Sequence, residues 1–396
     1  MKTAIISCYF INNYGSVLQA YATQEYLRNI GVDCSTISVE GIKPILKKAK
    51  INYFLKNITN CSLLKSKLPL AKLAFARKLN FKNTGKKLAS RAKGFAEFRR
   101  HFNFSPAPAS NFDELKQQIT AYNSVVLGGD QLWRPDNIFP GYYTLEWVPD
   151  EIRKISLGTS FGVATLDKYS QKRAKAFLPR FDALSVREKS GQDLIFDLTE
   201  QKAKVVCDPA LLLPAEQWSK IASAKQCPEE EYIFTYFLGS NKKFREFAKS
   251  LSNATGLPVV GIPHIDSYLP TDEDIDLPVF DATPEEFLGL IKNAKFVCTD
   301  SLHATMFSAL FHSNFFAFKR FANTTASTNS RIESFLNKTS LQNRLITDFD
   351  EFPLLHRLKA DFTAADSAIA EMVADTDGFV KAALNIATQK AVSADA

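Results

Sequence analysis

Apolar runs of strand length alternate with stretches of helical length from one end of this chain to the other, an order that restricts it to parallel α/β architectures. TAIISCYF reads as a buried strand, INNYGS as a polar turn and VLQAYATQEYLRNIG as a helix closed by Gly31. CSTISVE then completes a β-α-β unit. After an interruption the pattern resumes with the helix FDELKQQITAYN and the strands SVVLGGD and KISLGTSFG. ALSVREKSGQDLIFDLT supplies a strand and a helix, and KVVCDPALLL a last strand. From Pro214 to Glu230 the order breaks into a polar, acidic stretch. A second series follows: YIFTYFLG, KKFREFAKSLSNATG, PVVGI, TPEEFLGLIKNA, KFVCTD, LHATMFSALFHS and FFAF. At 396 residues the chain exceeds one comfortable core. The expectation is an α/β protein with two Rossmann-like lobes whose parallel sheets face a central cleft. Its lobes are residues 1–215 and 228–360, with a helical insert at about 43–105 and a C-terminal helix and tail over 361–396.

The insert is strongly basic. Between Lys43 and Arg100 there are 17 Lys and Arg against one acid, Glu97, a balance of +16. With a net charge of +7, the rest sums to 7 − 16 = −9. SLLKSKLPLAKLAFARKLNF interleaves leucine and phenylalanine with lysine, which suits an amphipathic helix on an anionic membrane surface. A solvated helical face is the competing reading, and a nucleic-acid partner lacks any accompanying binding motif. No apolar run approaches the roughly 20 residues that span a bilayer. The apolar N-terminus has no small-x-small cleavage site and reads as a strand. Six scattered cysteines without a C-x-x-C pair favour a reducing compartment and argue against structural zinc. The expectation is a cytoplasmic protein, peripheral at most on the inner face of the membrane, with no metal and no cofactor.

Four polar clusters follow strands, where such folds collect ligands. Asn13-Tyr14-Gly15-Ser16, with Gln19, pairs a tight turn with a helix start where Ser16 can cap. No G-x-G-x-x-G accompanies it, which excludes the dinucleotide fingerprint. Gly128-Gly129-Asp130-Gln131 ends a strand with two glycines that permit close approach, then an acid able to serve as base or cap. Arg187-Glu188-Lys189 offers a guanidinium for a carboxylate or phosphate, or for an ion pair with Glu188. The sharpest cluster is KFVCTD-Ser301-Leu302-His303-Ala304, where a buried strand enters a helix at Asp300/Ser301. Free amides there make an anion site, and His303 is a candidate proton donor or acceptor. Arg320 and Arg331 are further cations near a Thr/Ser/Asn-rich stretch that can act as a lid.

With these clusters in order, the sequence resembles the polysaccharide pyruvyl transferase family. The likeness rests on NNYGSVLQAYATQEYL, VVLGGDQLW, SVREKSGQDLI, VVCDPALLL, TPEEFLGLIKNAKFVCTDSLHATMFSALF and SRIESFL, collinear over roughly residues 3 to 345. It implies a GT-B-like fold and transfer of an enolpyruvyl unit from phosphoenolpyruvate to a sugar hydroxyl pair, giving a pyruvate ketal. It also implies a capsular or exopolysaccharide acceptor that is commonly lipid-linked. Donor positions carried over are Arg187, Ser301, Leu302 and His303. Some members have arginine where this chain has Ser301, so Lys189, Arg320 or Arg331 is expected to supply the cation. Glycine after the histidine is here Ala304, and the family's G-S-D is Gly128-Gly129-Asp130. The acceptor is assigned to Asn13, Tyr14, Gly15, Gln19, Gly129, Asp130 and Gln131. His303 is expected as general acid and Asp130 as the base, with Asp300 as the alternative base or a helix cap. Competing functions are a nucleotide-sugar glycosyltransferase on the same fold and a non-catalytic scaffold at the membrane surface.

Overall fold

The structure, a computed structural model, describes residues 2–56, 81–105, 107–263, 274–320, 326–347, 349 and 359–386. The lysine-rich run SLLKSKLPLAKLAFARKLNF falls, but for its last residue, outside them.

The first lobe is built on β1 (Lys2–Ile6), β2 (Asp33–Thr36), β3 (Ser124–Leu127) and β4 (Arg153–Ser156), all parallel in the order β2-β1-β3-β4. Their residues are buried on both faces, which is why the sequence shows continuous apolar runs rather than alternation. Isolated bridges Ile155↔Ala183 and Thr159↔Val186 extend the edge to the short parallel pair β5 (Ser185–Val186) and β6 (Lys204–Val205). Helices α1 (Tyr14–Asn29), α4 (Phe112–Ile119), α5 (Pro135–Ile138), α6 (Lys168–Phe177) and α7 (Lys189–Thr199) connect this lobe. The insert contributes α2 (Lys43–Lys56) and α3 (Phe81–Phe98).

Two boundaries differ from the sequence reading. The polar turn INNYGS is shorter than read, because Asn13 accepts from the Ser16 amide (3.1 Å) and starts α1 at Tyr14. Ser16 is therefore not the cap. KVVCDPALLL is not one strand either. β6 stops at Val205, and Asp208 caps a 3-10 turn, Pro209–Leu212, with Pro209 at its first position.

After α8 (Ala215–Ile221), the second lobe carries a six-stranded parallel sheet in the order β12-β11-β10-β7-β8-β9. Its strands are β7 (Ile233–Tyr236), β8 (Val259–Gly261), β9 (Leu277–Pro278), β10 (Phe296–Thr299), β11 (Phe315–Phe318) and β12 (Leu345–Ile346). α9 (Lys242–Thr255), α10 (Pro284–Lys292), α11 (Leu302–Leu310) and α12 (Ala326–Lys338) complete it. Thr283 and Glu286 form a reciprocal capping box at α10.

The two sheets share one apolar core. Tyr14 of α1 stacks on Phe287 of α10 with centroids 4.4 Å apart, and its hydroxyl donates to the Ala282 carbonyl (2.7 Å). Trp218 bridges Tyr21 and Phe307. The last helix, α13 (Thr363–Ala383), returns to the first lobe. Tyr26 donates to Asp377 (2.8 Å), Lys204 pairs with Asp375 (2.7 Å), and the Thr376 hydroxyl oxygen accepts from the Cys207 amide (3.0 Å). The insert is structural at its second helix. Phe95 and Phe98 are buried, Arg91 lies 4.8 Å from the Tyr14 ring centroid, and Ser90 donates to Asp281. No helix among the described residues is long and apolar enough to cross a membrane.

Candidate active site

Two helix starts meet where the lobes touch. Above β10, Ser301 accepts from the Ala304 amide and starts α11 at Leu302, so the cap is Ser301 and not Asp300. His303, in the first turn, lies directly over Gly15 in the first turn of α1. A Cβ on Gly15 would stand 2.1 Å from the imidazole Nδ1, so only glycine admits this ring. Gly129 has the same logic, since a Cβ there would meet Pro209 at 2.8 Å.

Around the imidazole the loops of the first lobe deliver charge. Asp208 leaves β6 through the 3-10 turn and places its carboxylate 3.6 Å from His303 Nε2. Arg187, at the end of β5, donates to Asp208 through Nη1, and approaches Glu188 (3.7 Å) and Asp130 (3.9 Å). Burial pushes the Asp208 carboxyl up, but His303 and Arg187 outweigh it and hold Asp208 well below the usual carboxylate range. Burial likewise pulls Arg187 down, while Asp208, Glu188 and Asp130 together raise it above its ordinary value.

Asp130 sits at φ +73°, a conformation uncommon outside glycine, which turns its carboxylate inward at the end of β3. One oxygen accepts from the Ser16 hydroxyl (2.5 Å) and the Cys8 thiol (3.5 Å), the other from the Gln131 amide (2.8 Å). Burial raises its carboxyl, yet Arg187, His303 and Ser16 bring it below the ordinary range. Asp130 is thus a committed anion with both oxygens engaged, which suits it to anchoring and charge stabilisation better than to proton abstraction.

Arg331, on α12, completes the cluster in the opposite electrostatic state. With the Gln131 amide oriented so that its oxygen faces Arg331, that oxygen accepts from both terminal nitrogens (3.0 and 3.3 Å). Its Nε is buried without a hydrogen-bond partner, and among the described residues no carboxylate comes within ion-pair distance of it. Burial and the neighbouring Arg187 pull it down to about 10, with Glu188 and Asp130 opposing more weakly. A pocket opens beside these groups, lined by Arg187, Glu188, Asp208, Leu302, Arg331 and Lys338 among others. Buried polar atoms without partners concentrate here: Arg187 Nε and Nη2, Glu188 Oε2, His303 Nε2 and Arg331 Nε, with Gln19 Oε1 nearby under Gly129. Such a concentration in one place marks a site built for a polar ligand.

Arg187, Ser301, Leu302, His303, Gly15, Gly129, Asp130, Gln131 and Arg331 are therefore brought together. Other residues expected here are not. Lys189 is the first residue of α7 with its side chain 71% exposed, and pairs with Asp193 and Gln192 on the surface. Tyr14 spends its hydroxyl and ring on tying the lobes together, so it cannot face an acceptor. Asn13 caps α1, and buried Gln19 donates to the Ser16 carbonyl (3.0 Å). Asp300 accepts from the Leu238 and Gly239 amides (both 2.7 Å), while Arg320 donates to its carbonyl (2.9 Å), which makes it a brace for the β7 loop. Glu188 joins the cluster as the ion-pair partner of Arg187 that the sequence offered, and Asp208 joins it unforeseen. For Asp208 the readable signal was the Asp-Pro dipeptide, which marks a turn and not a strand interior.

Comparison with known proteins gives the fold and the family separately. Similar solved structures include the UDP-GlcNAc 2-epimerase of Methanocaldococcus jannaschii, at 12% identity and TM-score 0.52, covering 96% of this chain and 100% of that one. UDP-N-acetylglucosamine 2-epimerase from Rickettsia bellii matches at 8% identity and TM-score 0.50, with 97% and 96% covered. S. aureus MnaA, in a co-structure with UDP, matches at 11% and 0.50, with 98% and 99% covered. These likenesses establish the two-lobed GT-B architecture and nothing of the chemistry. No functionally curated protein matches the chain in sequence. The sequence pattern of the family described as polysaccharide pyruvyl transferase matches residues 13–320, which hold Ser16, Asp130, Arg187, Asp208 and His303. That match spans more than half of the chain and both lobes, and the chain belongs to the polysaccharide pyruvyl transferase family.

Proposed function

We propose that this protein transfers the enolpyruvyl unit of phosphoenolpyruvate to a pair of hydroxyls on a lipid-linked saccharide, forming a pyruvate ketal during capsular or exopolysaccharide synthesis. The observation that carries the reading is Arg331, a half-buried cation beside a second arginine, its Nε buried and without a hydrogen-bond partner. Leaving a charge so placed is costly unless an anion arrives. A small ligand with both a carboxylate and a phosphate meets that demand with Arg331 and the α11 amides, in a pocket that Arg187 also lines.

In this reading His303, beside Asp208, delivers a proton to the methylene carbon of the donor. Positive character develops at the adjacent carbon, where the Asp130 and Asp208 carboxylates stabilise it. One sugar hydroxyl adds there, the carbon–oxygen bond to phosphate breaks, and the second hydroxyl closes the ketal. Two hydroxyl protons are released in exchange, one replacing the proton given by His303 and one leaving with phosphate.

Thermal unfolding with phosphoenolpyruvate, and separately with UDP, tests the donor. Phosphoenolpyruvate should raise the melting temperature and UDP should not; the reverse result would assign a nucleotide-sugar donor instead. For the chemistry, phosphate release in the presence of acceptor sugars is the readout. His303→Ala should lower turnover by about 10²–10⁴-fold while the phosphoenolpyruvate-induced shift in melting temperature persists.

A further inference from the structure

A second cavity lies on the first lobe, away from the charged cluster. Its volume is about 390 Å³, inside the ~300–1,000 Å³ range of small-molecule pockets. Phe10, Leu46, Ile51, Phe54, Pro140 and Tyr142 supply an apolar wall, and Lys43, Lys47 and Lys50 stand along its α2 side. Lys43 is matched by Glu40 and Lys50 lies 3.9 Å from Asp136, but exposed Lys47 and Lys48 have no acidic partner among the described residues. Beside the cavity, α2 leaves Ile45, Ile51 and Leu55 exposed, at 38%, 49% and 59%. An apolar trough with surplus cations at its rim matches a hydrocarbon chain ending in an anion.

The cavity is also coupled to the acceptor side of the cluster. Phe10 belongs to the β1–α1 loop that carries Asn13, and Arg99 pins that loop by donating to the Tyr9 and Phe10 carbonyls (3.0 and 2.9 Å). Asn137 lines the cavity and donates to the Gln131 carbonyl (2.9 Å), one residue from Asp130. Tyr143, also in the wall, has its backbone carbonyl held by the Trp133 indole (3.2 Å). Both loops that shape the cavity thus continue into the loops around Asp130.

We propose that this cavity holds the hydrocarbon tail of the acceptor's lipid-phosphate carrier, with the phosphate against Lys47 and its neighbours and the sugar directed toward Asp130. The proposal rests on the reading of the acceptor as lipid-linked. The test is calorimetric titration of the full chain with farnesyl phosphate below its micelle concentration, alongside farnesol and inorganic phosphate. Saturable binding of farnesyl phosphate is expected, tighter than farnesol and not displaced by inorganic phosphate. Ile51→Glu should weaken it about tenfold or more by placing a carboxylate on the apolar wall, and Lys47→Glu should weaken it by removing the cation. Both residues are exposed, so both variants should fold and should transfer normally to a water-soluble sugar. Absence of saturable binding, full displacement by inorganic phosphate, or binding unchanged in both variants would overturn the proposal. If transfer to free sugar proceeds while farnesyl phosphate does not bind, the cavity assignment fails alone. If farnesyl phosphate binds as expected but no sugar is pyruvylated, the reaction assignment fails and the cavity stands.

Discussion

Two arginines line the same pocket, and the protein treats them in opposite ways. Arg187 is enclosed by Asp208, Glu188 and Asp130, and its charge is settled by the fold. Arg331 is offered one neutral amide oxygen and lies close enough to Arg187 to be pulled down by it. The first arrangement holds three loops of the first lobe in place; the second stores an unmet electrostatic demand at the edge of the other lobe. A residue type alone therefore does not make a ligand contact. What distinguishes the two is how much of the guanidinium's demand the protein has already satisfied.

The comparison breaks most visibly at Arg187. Arg187→Met should lower unfolding stability by about 3–5 kcal/mol, because buried carboxylates lose their common partner. Urea unfolding measures this, and Asp208→Asn in the same chain should recover part of the loss. The pH profile carries the same information. Asp208 has a folded pKa below its unfolded value of ~3.9, so its contribution is complete above that value and is lost as pH falls through the folded pKa. Acid unfolding of the wild type should accordingly set in below about pH 4, and the midpoint should move upward in Arg187→Met.

Arg331→Met is the sharper half of the contrast. It should leave unfolding stability unchanged or slightly raised, since a half-buried cation without an ion-pair partner among the described residues is replaced by an apolar chain of similar length. Phosphoenolpyruvate affinity should meanwhile fall by about 10- to 100-fold, the worth of charge-assisted hydrogen bonds. Equal losses of stability in both arginine variants, in the absence of ligand, would remove the distinction between them.

How much of this was legible in the sequence follows from where each residue lies along its element. Strands buried on both faces leave unbroken apolar runs, so the two lobes of parallel sheet could be read directly, while the GT-B likeness was implied by the family resemblance. Arg187 was legible because it directly follows such a strand, and His303 because it opens the helix that follows one. Asp208 was hidden inside VVCDPALLL, whose apolar character masked a strand that stops at Val205 and a 3-10 turn that swings the acid toward His303. Lys189 misled for the converse reason. Two residues past Arg187 the chain has become helical, and its side chain points to Asp193 one turn on. Tyr14 lay in a motif with the appearance of a binding turn, but only the packing of α10 against α1 reveals what its ring and hydroxyl do.

Gly15 links the catalytic group to the joint between the lobes. Gly15→Ala would put a methyl 2.1 Å from the His303 ring, so the imidazole must move or the helix starts must separate. Overpacking of this kind costs about 1–3 kcal/mol in stability. Turnover should drop further than stability alone explains, because His303 is displaced from Asp208. Measuring kcat at saturating phosphoenolpyruvate well below the melting temperature separates the two effects. An unchanged kcat in a destabilised variant would mean that the ring's position over Gly15 is packing and nothing more.

The smallest expected effect tests whether the joint is a hinge or a weld. Tyr14→Phe keeps the stack on Phe287 and removes only the hydrogen bond to Ala282 of the other lobe. The Ala282 carbonyl loses its donor, so the cost should be about 1 kcal/mol, read in urea unfolding. If the lobes must part to admit the acceptor, loosening this bond should raise turnover or leave it unchanged while stability falls. If instead His303 depends on the joint being held, turnover should fall in proportion as α1 and α11 drift apart, in the same direction as Gly15→Ala and to a lesser degree. The sign of that single change decides whether the contrast between a satisfied and an unsatisfied arginine sits across a rigid boundary or a moving one.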